Sequence, residues 1–139
     1  MTETANDLIA LSSDECHRLL TTHRPQLGRL GFVDGGWPMI FPMNYAVESK
    51  AIYFKTAPGS KLFAVVTGQQ VSFQIDYIAE RWEEGYSVLA LGRLRTVTDP
   101  EETDQVDQLP CGPWARGDRH DYLRLDISSL SGRRIINPA

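Results

Sequence analysis

Residues 53–62 of this chain read Y-F-K-T-A-P-G-S-K-L. The run up to Thr56 predicts a strand, the triplet 57–59 breaks it, and Ser60 is typical of the start of a helix. Such a turn presents unpaired backbone N–H groups, and the dipole of the following helix favours an anion there. Because Thr56, Ser60 and Lys61 add two hydroxyls and an ammonium at this point, the segment predicts a phosphate site.

The same segment also fits an ordinary surface loop. Ser is a common helix cap, so Thr56 and Ser60 would then only end a strand and begin a helix. The known phosphate-binding signatures G-x-x-x-x-G-K-[ST] and G-x-G-x-x-G do not occur in the chain. The phosphate interpretation therefore depends on what surrounds the segment.

The preceding segment, Trp37–Val47, predicts a strand with one unusual edge. Pro38 and Pro42 interrupt it, and a proline has no N–H to donate to a neighbouring strand. Two prolines four residues apart predict an edge or bulged strand, one side of which faces something other than a strand. A flat ligand and water both satisfy that requirement.

Short elements fill the rest of the chain. Capping signals predict helices over Ser13–Thr22, Ser60–Thr67 and Pro100–Gln108. Strands are predicted over Gln26–Val33, Trp37–Val47, Ala51–Thr56, Gln70–Tyr77, Gly85–Val97 and Tyr122–Ile127, with a short edge at Gly132–Ile135. Many short strands with few helices favour an antiparallel barrel. Residues 1–11 are expected to be a flexible lead-in, and residues 12–139 a single domain.

Composition and net charge bear on the number of domains, the class of binding partner and the location of the protein. The 139 residues are 42% hydrophobic and 23% charged, which predicts one domain with an ordinary core. The formal net charge of −4 argues against a nucleic acid or an anionic membrane as partner. The acidic N-terminus does not resemble a signal peptide, and Cys16 and Cys111 form no C-x-x-C motif. These features predict a cytoplasmic protein.

The complete pattern resembles a known family. R-L-G-F at 29–32, N-Y-A-V at 44–47, T-A-P-G-S-K at 56–61, V-S-F-Q-I-D at 71–76 and G-Y-S-V-L-A-L-G at 85–92 occur in that order. This arrangement is similar to the pyridoxamine 5'-phosphate oxidase-like family, and most similar to its nitroimidazole-reductase-like, flavin/deazaflavin oxidoreductase branch. The resemblance implies a mainly β fold with short helices, a six-stranded antiparallel split barrel that binds FMN at a homodimer interface.

The resemblance also implies roles for particular residues. The flavin ring would lie along Pro42, Met43 and Asn44, the phosphate would be held by Thr56, Ser60 and Lys61 with Lys55 nearby, and Trp114 of the second subunit would cover the ring. The chain departs from the pyridoxamine phosphate oxidases proper, because Pro38 and Asn44 stand on the flavin strand where those enzymes carry Arg and Lys. The C-terminus, S-G-R-R-I, also lacks their Arg-x-His motif, so vitamin B6 oxidation is not expected.

These observations predict an FMN-binding oxidoreductase that passes hydride to a small organic acceptor. A deazaflavin-dependent reductase and a non-catalytic flavin or haem carrier or sensor on the same fold are the alternatives. No catalytic residue stands out, and the spacing of the three histidines and two cysteines predicts no metal site. Four arginines near the C-terminus would reach a cofactor phosphate or a carboxylate, or form salt bridges between subunits: Arg119, Arg124, Arg133 and Arg134.

Overall fold

A computed structural model of the chain describes residues 7–57, 59–81, 84–110 and 121–136. The elements within these ranges are strands β1 (Asp7–Ala10), β2 (Leu27–Asp34), β3 (Trp37–Asn44), β4 (Ala46–Glu48), β5 (Ala51–Thr56), β6 (Gln70–Ile78), β7 (Glu84–Thr96) and β8 (Asp121–Ile136), and helices α1 (Ser13–Thr22), α2 (Lys61–Val66) and α3 (Pro100–Asp107). No helix in this part of the chain has the length and apolarity that crossing a bilayer requires.

All strand pairs are antiparallel and belong to one sheet, in the order β3-β2-β6-β7-β8-β5-β4, with β1 added to β8. The predicted fold class, an antiparallel split barrel with short helices, is confirmed. The described residues form eight strands rather than the predicted six, and hydrogen-bonded pairing does not close the sheet into a complete barrel. Residues 7–10, which were predicted to belong to a flexible lead-in, form strand β1 on β8.

Tyr45 accounts for the other additional strand. It divides the predicted strand Trp37–Val47 into β3, which pairs with β2, and β4, which pairs with β5. Tyr45 is fully buried, its hydroxyl donates to the carbonyl oxygen of Leu20 at 2.6 Å, and its ring meets Phe73 edge-on at 5.1 Å. Because Tyr45 is fixed in the core, the chain exchanges one neighbouring strand for another at this residue.

The core lies on the inner side of the curved sheet. Val71, Phe73 and Ile75 are buried on one face of β6, as the alternating sequence predicts. Helix α1 begins with the predicted capping box, in which Ser12 and Glu15 exchange hydrogen bonds, and buries Leu20 in the same core.

Strand β8 is longer than predicted. It runs without interruption over 16 residues, where the sequence predicted Tyr122–Ile127 and a separate edge at Gly132–Ile135. The small polar residues Ser129 and Ser131 have weak strand preference, but pairing with Leu91 and Leu89 of the long strand β7 overrides it. Ser128 has no partner in β7 and is the extra residue of a bulge. The predicted bulge at Gly92 is confirmed by a register shift between Leu91 and Gly92, where an added Cβ would lie 2.0 Å from a backbone oxygen of β8.

Candidate functional site

The predicted site residues line two sides of one opening in the sheet. If the register of the β4–β5 hairpin continued past Tyr45, Asn44 would lie opposite Lys55 and Met43 opposite Thr56. Instead β3 turns away to pair with β2, while β5 continues along β8. We call the resulting gap between 43–44 and 55–56 the split. The structure therefore brings the predicted ring strand and the predicted phosphate turn to the same opening.

Strand β3 presents an edge to the split that no other described strand covers. Directly after this strand, the N–H of Tyr45 donates to Gln26 on the β2 side at 3.2 Å. Because backbone groups alternate along a strand, the odd-numbered residues point toward β2 and the even-numbered residues point toward the free edge. Pro38 and Pro42 are even-numbered, so this edge offers more carbonyl acceptors than N–H donors, with Asn44 supplying both groups beside the split.

Asn44 holds a polar atom that lacks a partner. Its side-chain nitrogen donates to the carbonyl oxygen of Gln26 at 3.0 Å. Its Oδ1 is buried and accepts no hydrogen bond from the described residues. A buried acceptor without a donor costs about 1–3 kcal/mol. A bound group that offers an N–H or O–H beside Asn44 would remove that cost.

The neighbouring side chains take different positions. Met43 packs against the hydrophobic core, whereas Pro42 is exposed. A ring that lies along this strand would therefore meet the backbone of Met43 rather than its thioether. The predicted lid residue Trp114 lies outside the described residues.

The predicted phosphate turn is held together by a residue that the sequence analysis did not single out. Thr56 is buried, and its hydroxyl donates to the backbone oxygen of Asp121 at 2.8 Å. The N–H of Gly59, a residue with φ of +70°, donates to the carboxylate of Asp121 at 3.0 Å. Ser60 donates its N–H to Ala57 at 3.1 Å. Asp121 was missed because only the pairing of β5 with β8 brings it opposite Thr56.

The two lysines of this region are placed differently. Lys61 is the first residue of α2, and its side chain lies outside what the structure describes. Lys55 lies beside Thr56, but successive residues of a strand point to opposite faces. The Lys55 ammonium lies 5.9 Å from the centre of the Tyr122 ring, on the face of β5 that does not carry the Thr56 hydroxyl.

Arg124, one of the four arginines left open by the sequence, is occupied within the chain. Its guanidinium contacts Glu102 of α3 at 2.7 Å and Asp126 at 2.5 Å, and it donates to the hydroxyl of Tyr53 at 2.9 Å. Burial alone would raise the pKa of Glu102, but hydrogen bonds from Tyr53 and Arg124 lower it below its usual value. This cluster joins α3 to the sheet. Arg119 lies outside the described residues.

A cavity of about 400 Å³ borders the same strand, at Pro42. His23 lies in its wall, where burial lowers its pKa and its Nδ1 lies 2.7 Å from the hydroxyl of Tyr86. Arg29 and Asp76 form an exposed ion pair at 3.3 Å at the same cavity. Within the described ranges, no group of three or more His, Cys, Asp or Glu side chains is arranged to hold a metal ion.

Comparison with known sequences gives one family. A family model described as pyridoxamine 5'-phosphate oxidase matches residues 12–134. An uncharacterized protein of Mycobacterium tuberculosis is 26% identical over 139 residues, which covers 96% of this chain and 90% of that protein.

Comparison with solved structures gives the same fold. A FAD binding protein from Mycobacterium smegmatis is 30% identical, with a TM-score of 0.78 over 90% of this chain and 95% of that chain. A FAD-binding protein from Mesorhizobium loti is 26% identical, with a TM-score of 0.77 over 94% of this chain and 98% of that chain.

Proposed function

The chain belongs to the pyridoxamine 5'-phosphate oxidase family, and from this premise we propose that it binds a flavin nucleotide in the split and acts as an oxidoreductase. The observation that carries the proposal is the break at Tyr45, which leaves Asn44 with a free strand edge and a buried oxygen that lacks a donor. Similarity to two FAD-binding proteins supports a flavin as the ligand.

The residues of the split fit a flavin ring. The pyrimidine edge of the ring presents two carbonyl oxygens on either side of one N–H. The β3 edge at Pro42 and Asn44 offers carbonyl acceptors, the N–H of Asn44, and the partnerless Oδ1 of Asn44 as a further acceptor. A ring N–H donated to this oxygen would satisfy a buried group that is otherwise unsatisfied.

The remaining roles follow the predicted assignment except at Thr56. Ser60 and Lys61 would hold the phosphate end of the coenzyme, and Trp114 of a second subunit would cover the ring. Thr56 would shape the phosphate turn rather than donate to the phosphate, because its hydroxyl proton is donated to Asp121. A bound flavin supplies hydride chemistry, so the protein has to bind, orient and shield the ring rather than provide an acid or base. The acceptor is a small organic molecule, and FMN, FAD and deazaflavin coenzymes are all candidates for the bound group.

We also propose that the protein works as a homodimer. Val33 and Ile40 are large apolar residues on one face of the β2–β3 hairpin, and they are 51% and 69% exposed. Trp37 is 72% exposed but points to the other face, because it lies three residues from Ile40 on the same strand. A cavity of about 650 Å³ opens beside Val33 and Ile40. Contiguous apolar surface of this kind is typical of an interaction site. Because the same strand carries the ring residues, a second copy on this face would also enclose the flavin.

We also propose, from the sequence features described above, that the protein is cytoplasmic. Cys16, the free cysteine within the described residues, is buried, and burial raises the pKa of its thiol. Such a thiol is protonated and unreactive at neutral pH.

The test is a titration of the purified protein with FAD, FMN and riboflavin, followed by flavin fluorescence. We expect the double variant Ser60→Ala, Lys61→Ala to weaken FAD binding by about ten-fold or more, since charge-assisted hydrogen bonds are lost. Lys50→Ala, which removes an exposed lysine from the β4–β5 turn, is the matched control.

Two outcomes would overturn the proposal. One is a protein that binds no flavin or deazaflavin at all, and the other is a double variant with unchanged affinity. Tight binding without turnover of reduced nicotinamide across a panel of acceptors would indicate a carrier or sensor instead of an enzyme.

A further inference from the structure

The cavity of about 400 Å³ at Pro42 lies beside the proposed flavin site but is built from other elements. Its walls come from the segment after α1, the start of β2 and the end of β6. Among the described residues that line it, only Pro42 belongs to those predicted to bind the flavin. Sites for small molecules typically have volumes of about 300–1,000 Å³. The cavity is therefore large enough to hold a small ligand of its own.

Apolar groups form most of the lining. Leu27, Tyr77 and Ile78 are large apolar side chains that are only partly covered, at 36%, 45% and 42% exposure. Pro25 and Pro42 add two pyrrolidine rings. A ligand with an apolar body removes these surfaces from water, which favours its binding.

Two guanidinium groups lie among these apolar residues. Nη1 of Arg24 donates to the carbonyl oxygens of Thr21 at 3.0 Å and His23 at 2.8 Å, so this head group is fixed at the end of α1. Both acceptors are uncharged, so these two contacts do not neutralise the charge of Arg24. Arg29, to which the sequence analysis gave no role, lies opposite Pro42 in the register of β2 against β3 and carries the second charge.

Asp76 is the carboxylate in the described lining, and it is paired loosely with Arg29. Nη1 of Arg29 lies 3.3 Å from Oδ1 of Asp76, and the two side chains are 54% and 44% exposed. An exposed ion pair with one long contact contributes little to stability. A guanidinium presents five N–H donors in a fork, and this contact engages one of its nitrogens. Arg29 can therefore bind a second carboxylate without releasing Asp76.

We propose that this cavity is a binding site for a small organic acid, a ligand with one carboxylate and an apolar body. The carboxylate pairs with the guanidinium of Arg29, and Arg24 supplies a second positive charge. The apolar body packs against Leu27 and Tyr77. A neutral ligand of the same shape makes the apolar contacts but lacks the charge-assisted hydrogen bonds. The inference goes beyond the proposed flavin function and does not depend on it.

The test is a titration of the purified protein with benzoate and with benzamide, its neutral isostere, followed by NMR chemical shifts. We expect benzoate to bind in the millimolar range or below, and benzamide at least about ten-fold more weakly. Arg29→Gln should raise the dissociation constant of benzoate about ten-fold. Asp76→Asn keeps an oxygen that accepts from Arg29 and removes the competing charge, so it should lower that constant about three-fold. Opposite shifts in the two variants distinguish anion binding from a structural role of the ion pair.

Arg93→Gln is the control for net charge, because Arg93 is an exposed residue of β7 opposite the start of β6, away from the cavity. It should leave the dissociation constant of benzoate unchanged. A wild type that binds no benzoate up to about 20 mM, or that binds benzamide equally well, overturns the inference without any variant. Equal shifts in Arg29→Gln and Asp76→Asn also overturn it. So does a loss of benzoate binding in the double variant Ser60→Ala, Lys61→Ala, because the carboxylate then binds at the phosphate turn.

Discussion

Tyr45 is the residue at which the chain changes its neighbouring strand, and so it marks the start of the split. Burial raises its pKa, so its hydroxyl stays protonated and can donate to the carbonyl oxygen of Leu20. The residues around it, N-Y-A-V, continue the alternation of a strand and therefore gave no sign of a break. The break depends on a hydrogen bond to a helix 25 residues away in the chain, which local sequence patterns do not contain.

His23 provides a prediction about pH. Burial lowers its pKa in the folded protein below the ordinary value of 6.5. Above pH 6.5 both the folded and the unfolded chain hold a neutral imidazole, so its contribution to stability is complete. As the pH falls below 6.5, the unfolded chain takes up a proton that the folded protein does not, and stability is lost until the folded pKa is reached. We expect the melting temperature to fall between pH 7.5 and 5.5.

The variant His23→Asn keeps a polar partner for Tyr86 and removes the titration. Its melting temperature should fall less than that of the wild type over the same pH range, as measured by thermal unfolding at low salt. His17→Asn is the control for the loss of a histidine, because His17 contacts the backbone oxygen of Ser49 at an exposed position. An identical pH dependence in the wild type and His23→Asn would contradict the interpretation.

At the scale of elements, Gln69 fixes helix α2 against strand β2. Its side-chain amide accepts from the N–H of Val33 at 3.1 Å, and donates to the carbonyl oxygens of Val33 at 2.8 Å and Val65 at 2.7 Å. The amide thus pairs with the backbone of β2 in the way that a strand would. This contact sets the position of α2, whose first residue is Lys61.

We expect Gln69→Ala to reduce the free energy of unfolding by about 0.5–1.5 kcal/mol, because the exposed backbone groups of Val33 and the partly buried oxygen of Val65 lose their hydrogen bonds. Gln70→Ala changes the next residue, which is exposed on β6, and is the matched control. Equilibrium unfolding in urea measures the free energy of unfolding of the two variants and of the wild type. A loss of stability that is equal in the two variants would show that the contacts of Gln69 contribute nothing specific.

Elements with local signals were predictable, and elements defined by distant pairing were not. Helix α1 begins after Ser12 and ends where predicted because its capping box lies within four residues. Strand β5 also has its predicted bounds. By contrast, β1 forms because residues 7–10 pair with the end of β8. The local sequence of residues 7–10 does not predict this pairing.

In the candidate site, too, the features with local sequence signals were predictable and those that depend on distant pairing were not. The sequence located the turn around Gly59 and the proline-interrupted strand, because glycines and prolines act locally. It did not show that Asp121 closes the turn or that Lys55 and Thr56 point to opposite faces, since both depend on the register of β5 against β8.

At the scale of the whole molecule, the apolar face at the β2–β3 hairpin leads to a prediction about assembly. Ile40 is 69% exposed on β3. We expect the wild type to be a dimer by light scattering, and Ile40→Asp to raise the dimer dissociation constant by about a hundred-fold or more, because the interface would bury an unpaired charge. Since the second subunit is proposed to enclose the flavin, the same variant should also weaken flavin binding.

Leu8→Asp is the matched control, because Leu8 is a similarly exposed aliphatic residue, 61% exposed, that lies on β1 and away from the hairpin. It should leave both the dimer and the flavin affinity unchanged. The link between assembly and binding is the decisive part, because β3 carries both Ile40 and the Asn44 edge. A monomeric Ile40→Asp with full flavin affinity would show that one subunit forms the complete site, and a monomeric wild type would exclude the proposed dimer.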